Sequence, residues 1–238
     1  MRYLEIRDLG RDVDYAEVVA LQESLLSDRI GGRVPDTLLL LEHRPVFTLG
    51  RSGGADHVCW TDAELAQHGI SRHQTTRGGD VTYHGPGQLV GYPVIHLGEA
   101  GLKLLDYVQA LEAVLIRVLA VWGIAGQRDA RNHGVWIGND KIAALGLRIS
   151  RQVSMHGFAL NVNTRLEDYQ GIVACGLQDA GVTSLARVTG REQDMAEVKA
   201  VVTREFCAEF GYAGGDRTGC ARNLSDFREK YRISNKES

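Results

Sequence analysis

Three residue types in this chain stand where they could do covalent or acid–base chemistry. Cys175 lies in Ile172-Val173-Ala174-Cys175-Gly176-Leu177, between a small residue and a glycine, so its backbone is approachable. Lys141 opens an otherwise apolar run, Ile142 to Leu147. His84 and His156 each precede a glycine in a glycine-rich segment. A cation near a thiol lowers its pKa, and the neutral amine can then serve as a base. A Cys–His pair would serve a hydrolase. Each residue also has a plain reading: Cys175 as a buried packing thiol, Lys141 as a turn lysine facing water, the histidines as packed or solvated rings. The residues alone leave both sets open. Cys207 sits inside an amphipathic pattern and Cys59 beside Trp60, so packing is expected for both, while Cys220 lies in a polar tail. His57, Cys59, His68 and His73 match no metal-ligand spacing.

Such groups need a cradle. The strongest candidate is Arg77-Gly78-Gly79-Asp80-Val81-Thr82-Tyr83-His84-Gly85-Pro86-Gly87-Gln88, followed by the apolar run Leu89 to Ile95. Glycine admits positive φ and close approach to a ligand, so the stretch reads as a shaped loop entering a buried strand. No Lys-Ser/Thr pair follows as a Walker loop requires, and Gly85, Gly87 and Gly91 miss the dinucleotide spacing. A nucleotide phosphate is not the expected guest. Gly50-Arg51-Ser52-Gly53-Gly54 matches the G-x-S-x-G nucleophile elbow, but no helix opens directly after it. It reads instead as a glycine-rich site rim.

The positioning elements follow from periodicity. Tyr3–Asp8 alternates as a strand. Asp14 opens a helix carrying Tyr15, Val18, Val19, Gln22, Leu25 and Leu26, stopped by Gly31-Gly32. Thr37–Leu41 and Val46–Leu49 are strands. Thr61 and Glu64 start a short helix closed by Gly69, and residues 70–75 form a strand. Residues 103–122 form the clearest helix, with Leu104, Leu105, Val108, Leu111, Leu115, Val118 and Leu119 on one stripe. Residues 134–137 and 141–147 make a hairpin around Gly138-Asn139-Asp140. A strand within 153–162 and a helix over 196–210 complete the set. The fold class expected is α/β of the α+β type: one domain, residues 1–213, with a mixed sheet flanked by helices and a polar extension over 214–238.

At 238 residues, 44% hydrophobic and 24% charged, the chain has the makeup of an ordinary globular domain. Its net charge of −3 gives no signal for nucleic acid. No apolar run approaches the ~20 residues that span a bilayer, and the N-terminal residues lack a signal-peptide core. Cytoplasmic localisation, with no membrane partner, is the expectation. No two cysteines form a C-x-x-C pair, so neither a zinc knuckle nor a thioredoxin motif is expected.

Together, the Arg77–Gln88 motif, Lys141 with Ile142-Ala143-Ala144-Leu145-Gly146, and Ala174-Cys175-Gly176-Leu177 preceded by His156-Gly157-Phe158-Ala159-Leu160-Asn161 resemble the lipoyl(octanoyl) transferase family. The resemblance runs over residues 38–210. It implies the fold of the biotin and lipoate protein ligases, with an acyl tunnel beside the glycine-rich loop. It implies Cys175 as the acyl-thioester nucleophile and Lys141 as the residue that lowers its pKa and moves protons. It places Arg77, Gly78, Gly79, Asp80, Val81, Thr82, Tyr83 and His84 along the acyl site, completed by Ala144, Leu145, Gly146, Gly157, Phe158 and Ala159.

The implied reaction moves an octanoyl or lipoyl group to a lysine. The donor is acyl carrier protein. The acceptors are lipoyl domains of 2-oxoacid dehydrogenase E2 subunits and the glycine cleavage H protein. No ATP, metal or other cofactor is implied. Because acyl carrier protein is acidic, Arg51, Arg72, Arg77, Arg128, Arg131, Arg148 and Arg151 are candidates for its docking face. The competing readings are an ATP-dependent lipoate ligase, a Cys-dependent thioesterase, and a non-catalytic module that binds acyl carrier protein.

Overall fold

A computed structural model describes residues 2–173 and 180–213. In chain order the elements are β1 (Leu4–Asp8), α1 (Tyr15–Ile30), β2 (Asp36–Leu41), β3 (Val46–Leu49), α2 (Asp62–His68), β4 (Ser71–Gln74), β5 (Val81–His84) and β6 (Gln88–Val94). Then come α3 (Leu104–Val121), β7 (Gly134–Ile137), β8 (Asp140–Ser150), β9 (Val153–Asn161), β10 (Gly181–Val182), α4 (Leu185–Thr189) and α5 (Met195–Phe210). Short 3-10 turns cover Ala55–His57 and Leu166–Gly171.

The main sheet runs β1-β2-β6-β9-β8-β10, with β7 also paired to β8. β1/β2 and β8/β10 are parallel and the other pairs antiparallel, so the sheet is mixed. A second, three-stranded sheet runs β4-β3-β5. Alternation along the strands sends residues to opposite faces. Leu38, Leu40, Phe158 and Leu160 pack with α3 and α5, while Leu39, Leu41, Met155 and Ala159 pack with α1. The small sheet has its own cluster around Phe47, Val81 and Tyr83.

The helix stops and starts have local causes. Asp14 caps α1 by accepting from the Ala16 and Glu17 N–H groups, and Thr61 with Glu64 closes a reciprocal capping box on α2. Gly69 and Gly211 end α2 and α5 in the left-handed conformation. Two expectations need correction. Leu104 and Leu105 do not belong to the buried stripe of α3; both are exposed, and burial starts at Tyr107. The glycine-rich stretch is not a continuous loop either. Its centre, residues 81–84, is strand β5, fully buried and paired to β3. Only Gly85–Gly87 form the connection, and it crosses from the small sheet to the main one.

β6 and β9 approach unusually closely. A Cβ on Gly157 would overlap the Gly91 carbonyl and Pro93, and one on Gly91 would overlap the Phe158 ring. Both positions therefore exclude any side chain at the centre of the sheet. A buried carboxylate ties the edge together. Asp36 accepts from Arg29 Nε at 2.8 Å, from Tyr212 Oη at 2.8 Å and from the His96 N–H at 2.9 Å.

Candidate active site

Between the small sheet and the main sheet lies a cavity with about 510 Å³ of atom-free space, partly open to solvent. The glycine-rich segment contributes Arg77, Gly79, Asp80, Val81, Thr82 and His84 to its lining. β8 contributes Ala144, Leu145 and Gly146, and β9 contributes Gly157, Phe158 and Ala159. Three stretches far apart in sequence thus meet on one space. The structure places Tyr83 and Gly78 off it. Tyr83 faces the small sheet's core, where its hydroxyl donates to Asp168 at 2.8 Å, and burial with that carboxylate pushes its pKa far up. The Gly78 N–H donates to Leu147 O at 2.8 Å, tying the glycine-rich stretch to β8.

Arg77 is buried, so it leaves the set of docking arginines. Its guanidinium donates to Thr48 O at 2.6 Å and Thr48 Oγ1 at 3.0 Å, holding β3 to the glycine-rich segment. The Gly50–Gly53 turn zips onto the same segment, through Gly50 N–H to Asp80 O, Arg51 N–H to Arg77 O and Ser52 N–H to Gly79 O. That turn is a rim, followed by the 3-10 turn Ala55–His57 and not by an α-helix. Several other arginines are paired: Arg72 with Asp62, Arg128 with Glu112, Arg131 with Asp129 and Arg148 with Glu23. Arg51 and Arg151 are exposed.

Residues that sequence reasoning did not assign to the site line one end of the cavity. Tyr15 from α1 and Tyr92 from β6 join His84 and His156 there, with His43 behind them. Their hydrogen bonds fix the tautomers. His43 Nδ1 faces the Val13 carbonyl at 3.1 Å and must donate, so Nε2 accepts from Tyr92 Oη at 2.9 Å. Gln88 Nε2 donates to Tyr83 O and Asn161 Oδ1, so its Oε1 accepts from His84 Nδ1 at 2.7 Å. Burial holds His43 down to about 4 and pushes His84 well below the ordinary histidine range, so both rings are neutral. In the sequence Tyr15 reads as one more member of a helix stripe; only the tertiary fold shows that the stripe ends at a cavity.

Lys141 is not a solvated turn lysine. It is 8% exposed, its ammonium donates to His133 O at 3.3 Å, and it lies over the Trp136 ring. It lines a second cavity with Thr82, Ala144, Asn161, Tyr169 and Ala180–Val182. Thr82 and Ala144 line both spaces, so the first cavity runs up to the Lys141 compartment. Cys175 and Cys220 lie outside the described residues. Ala180, the first described residue after Cys175 in the sequence, lines the Lys141 compartment. Cys207 is buried in the core as expected, but Cys59 is exposed. Its neighbours Val58 and Trp60 pack against the small-sheet cluster, and alternation turns the thiol outward. Among the described residues no group of three His, Cys, Asp or Glu side chains is arranged to hold a metal ion, and no helix is long and apolar enough to cross a membrane.

Residues 14–207 match the family model described as the lipoyl protein ligase A/B catalytic domain. An octanoyltransferase of Myxococcus xanthus is 45% identical over 88% of this chain, which spans 60% of that longer protein. One of Caldicellulosiruptor saccharolyticus is 44% identical over 84% of this chain and 86% of its own length. Among solved structures, the bipartite lipoate protein ligase of Thermoplasma acidophilum, described with its E2 lipoyl domain, superposes with a TM-score of 0.68 at 16% identity, covering 98% of this chain and 94% of that one. At that identity the likeness shows the fold alone.

Proposed function

This chain belongs to the lipoyl protein ligase A/B catalytic-domain family and is an acyltransferase; we propose that it carries an octanoyl group from the thioester of acyl carrier protein to the ε-amine of a lysine on a lipoyl domain. The observation that carries the reading is the junction at Thr82 and Ala144, where a slot lined by glycines, apolar residues and, toward one end, tyrosine and histidine rings meets the compartment of a buried lysine.

The chemistry balances without an energy source, because the donor is already activated. The Cys175 thiolate attacks the thioester carbon, and the tetrahedral intermediate collapses by breaking the carbon–sulfur bond to pantetheine, whose thiol leaves. The acceptor lysine, as the neutral amine, then attacks the Cys175 thioester. Cys175 is expelled as thiolate, and the amine proton passes to Lys141. In the resting pair Lys141 as ammonium stabilises the Cys175 thiolate; it gives its proton to the departing pantetheine sulfur, so that it is the neutral amine when the acceptor's proton arrives. Backbone N–H groups of Gly79, Asp80 or residues 144–146 would stabilise each oxyanion, a donor being typically worth ~3 kcal/mol. The slot selects the chain because each buried CH₂ contributes about 0.8 kcal/mol. The relatives' name and the fold shared with a ligase that acts with a lipoyl domain support this donor–acceptor pair.

Intact-protein mass spectrometry after mixing with octanoyl-loaded acyl carrier protein, without ATP, tests the reading. An octanoyl adduct is expected on wild type, absent from Cys175→Ser, and cleared when a lipoyl domain is added and gains the mass. On Lys141→Ala the adduct should form slowly and persist. Labelling of the lipoyl domain only when ATP and free octanoate are supplied would identify a ligase instead. An adduct cleared by water alone would identify a thioesterase.

A further inference from the structure

We infer that the far end of the acyl cavity reads a hydrogen-bonding substituent on the last carbons of the chain, with His156 as the specificity-determining residue, so that the protein also transfers medium-chain acyl groups bearing a hydroxyl there. The inference rests on the acyl-transfer reading above and concerns the same slot.

His156 is 1% exposed and lines the cavity, yet neither Nδ1 nor Nε2 has a hydrogen-bond partner among the described residues. Buried polar groups are normally paired, so an orphan needs a reason. The surrounding polar rings sharpen the contrast. Tyr15 bonds Thr75, His43 bonds Val13 and Tyr92, and His84 bonds Gln88. Only His156 among these is left open. Its neighbour Gln22, wholly buried, accepts from the His156 N–H at 2.8 Å through Oε1, while its own Nε2 also lacks a partner among the described residues. The His156 backbone is strained as well: φ is +60° inside strand β9, a conformation that non-glycine residues adopt at a cost.

The register places this ring at the right depth. Ala144, shared with the Lys141 compartment, stands opposite Ala159, whereas His156 stands opposite Leu147. From Ala144 to Leu147 is three strand residues, or roughly 10 Å. Seven C–C bonds of ~1.5 Å in zigzag give an extended octanoyl chain of roughly 9 Å. A chain with its carbonyl at the Lys141 compartment therefore sets its terminal carbons beside His156. A methyl there leaves both ring nitrogens unpaired. A hydroxyl both donates and accepts, which matches a neutral imidazole carrying one of each. Burial, with Arg77 and Arg148 nearby, holds the ring neutral down to about 4.

Acyl carrier protein loaded with octanoyl or with 8-hydroxyoctanoyl, offered with a lipoyl domain, tests this through the ratio of the two kcat/KM values. Wild type is expected to use the hydroxylated chain at least as well as octanoyl. His156→Phe should shift the ratio about tenfold toward octanoyl, the size of one net hydrogen bond. His156→Asn, which tolerates the left-handed backbone and keeps a polar end, should hold most of the preference. An identical ratio in wild type and His156→Phe would overturn the inference. Should the phenylalanine variant not fold, wild type with both donors in equimolar competition decides: rejection of the hydroxylated chain by about a hundredfold is the behaviour of a wholly apolar slot and overturns it equally. Transfer from neither donor would overturn the underlying transfer reading as well, so the two failures are told apart.

Discussion

The Lys141 ammonium lies 4.8 Å from the centroid of the Trp136 ring, its cross-strand partner on β7. A cation over an indole face is held electrostatically, more strongly when desolvated, so the ring fixes where the lysine's proton can be delivered. Trp136→Leu keeps apolar bulk but removes that hold. Acyl transfer is expected to fall about tenfold at saturating donor, in kcat more than in KM. Unchanged kcat with intact folding would show that Trp136 only packs.

Gly157 and Gly101 make a controlled pair. A side chain at Gly157 meets the Gly91 carbonyl across the sheet, whereas Gly101 has open space around it and only its φ of +68° to protect. Gly101→Ala should cost about 1 kcal/mol. Gly157→Ala forces β6 from β9 at the sheet centre and should cost roughly 3 kcal/mol or more. Urea unfolding of both variants, read at constant m-value, checks the difference.

Acid should destabilise this protein before its carboxylates titrate. His43 is buried neutral, lowered to about 4 first by desolvation, with Val13 O and Asp14 opposing and His73 adding. In the unfolded chain it titrates near 6.5. Its contribution is complete above about pH 6.5 and is lost as pH falls toward 4, because only the unfolded state takes up the proton in that window. The loss is roughly 3 kcal/mol for this one group. Thermal unfolding across that range should show the slope, and His43→Gln should make it shallower, leaving the part that His84 and His156 contribute. The same slope in both proteins would exclude His43 as its source.

Asp36 sits 3% exposed between Arg29, Tyr212 and the His96 N–H. Removing one partner of a buried pair typically costs ~3–5 kcal/mol. Asp36→Ala should lose that much in chemical denaturation, with Arg29 left to Glu99 alone. A loss under about 1 kcal/mol would mean that water replaces the carboxylate.

Where local pattern decides structure, the sequence was readable. Asp14, Thr61, Glu64 and Gly69 mark helix ends by short-range hydrogen bonds, and the structure puts the ends there. Thr37–Leu41 reads as a strand buried on both faces, and it is. Leu104 and Leu105 misled because periodicity cannot tell where a helix leaves its partner. β5 was hidden because glycines on both sides made four strand residues look like part of a loop. The glycine-rich, Lys141 and Gly157 stretches were legible as motifs. Their convergence on one cavity, and the arrival there of Tyr15, Tyr92 and the unpaired His156, depend on the pairing of β6, β8 and β9, contacts made over long sequence separations that no window can see.

The cavity proposed for the acyl chain has one wall on each of two sheets that, among the described residues, share no backbone ladder. Gauge is therefore a matter of how far apart two plates stand, and the shims are Phe47, Leu49, Leu65 and Ile70, packed in the small sheet's own cluster. Evolution can recut the chain length this enzyme accepts by trading volume in that hidden layer, leaving every residue that touches the substrate as it is.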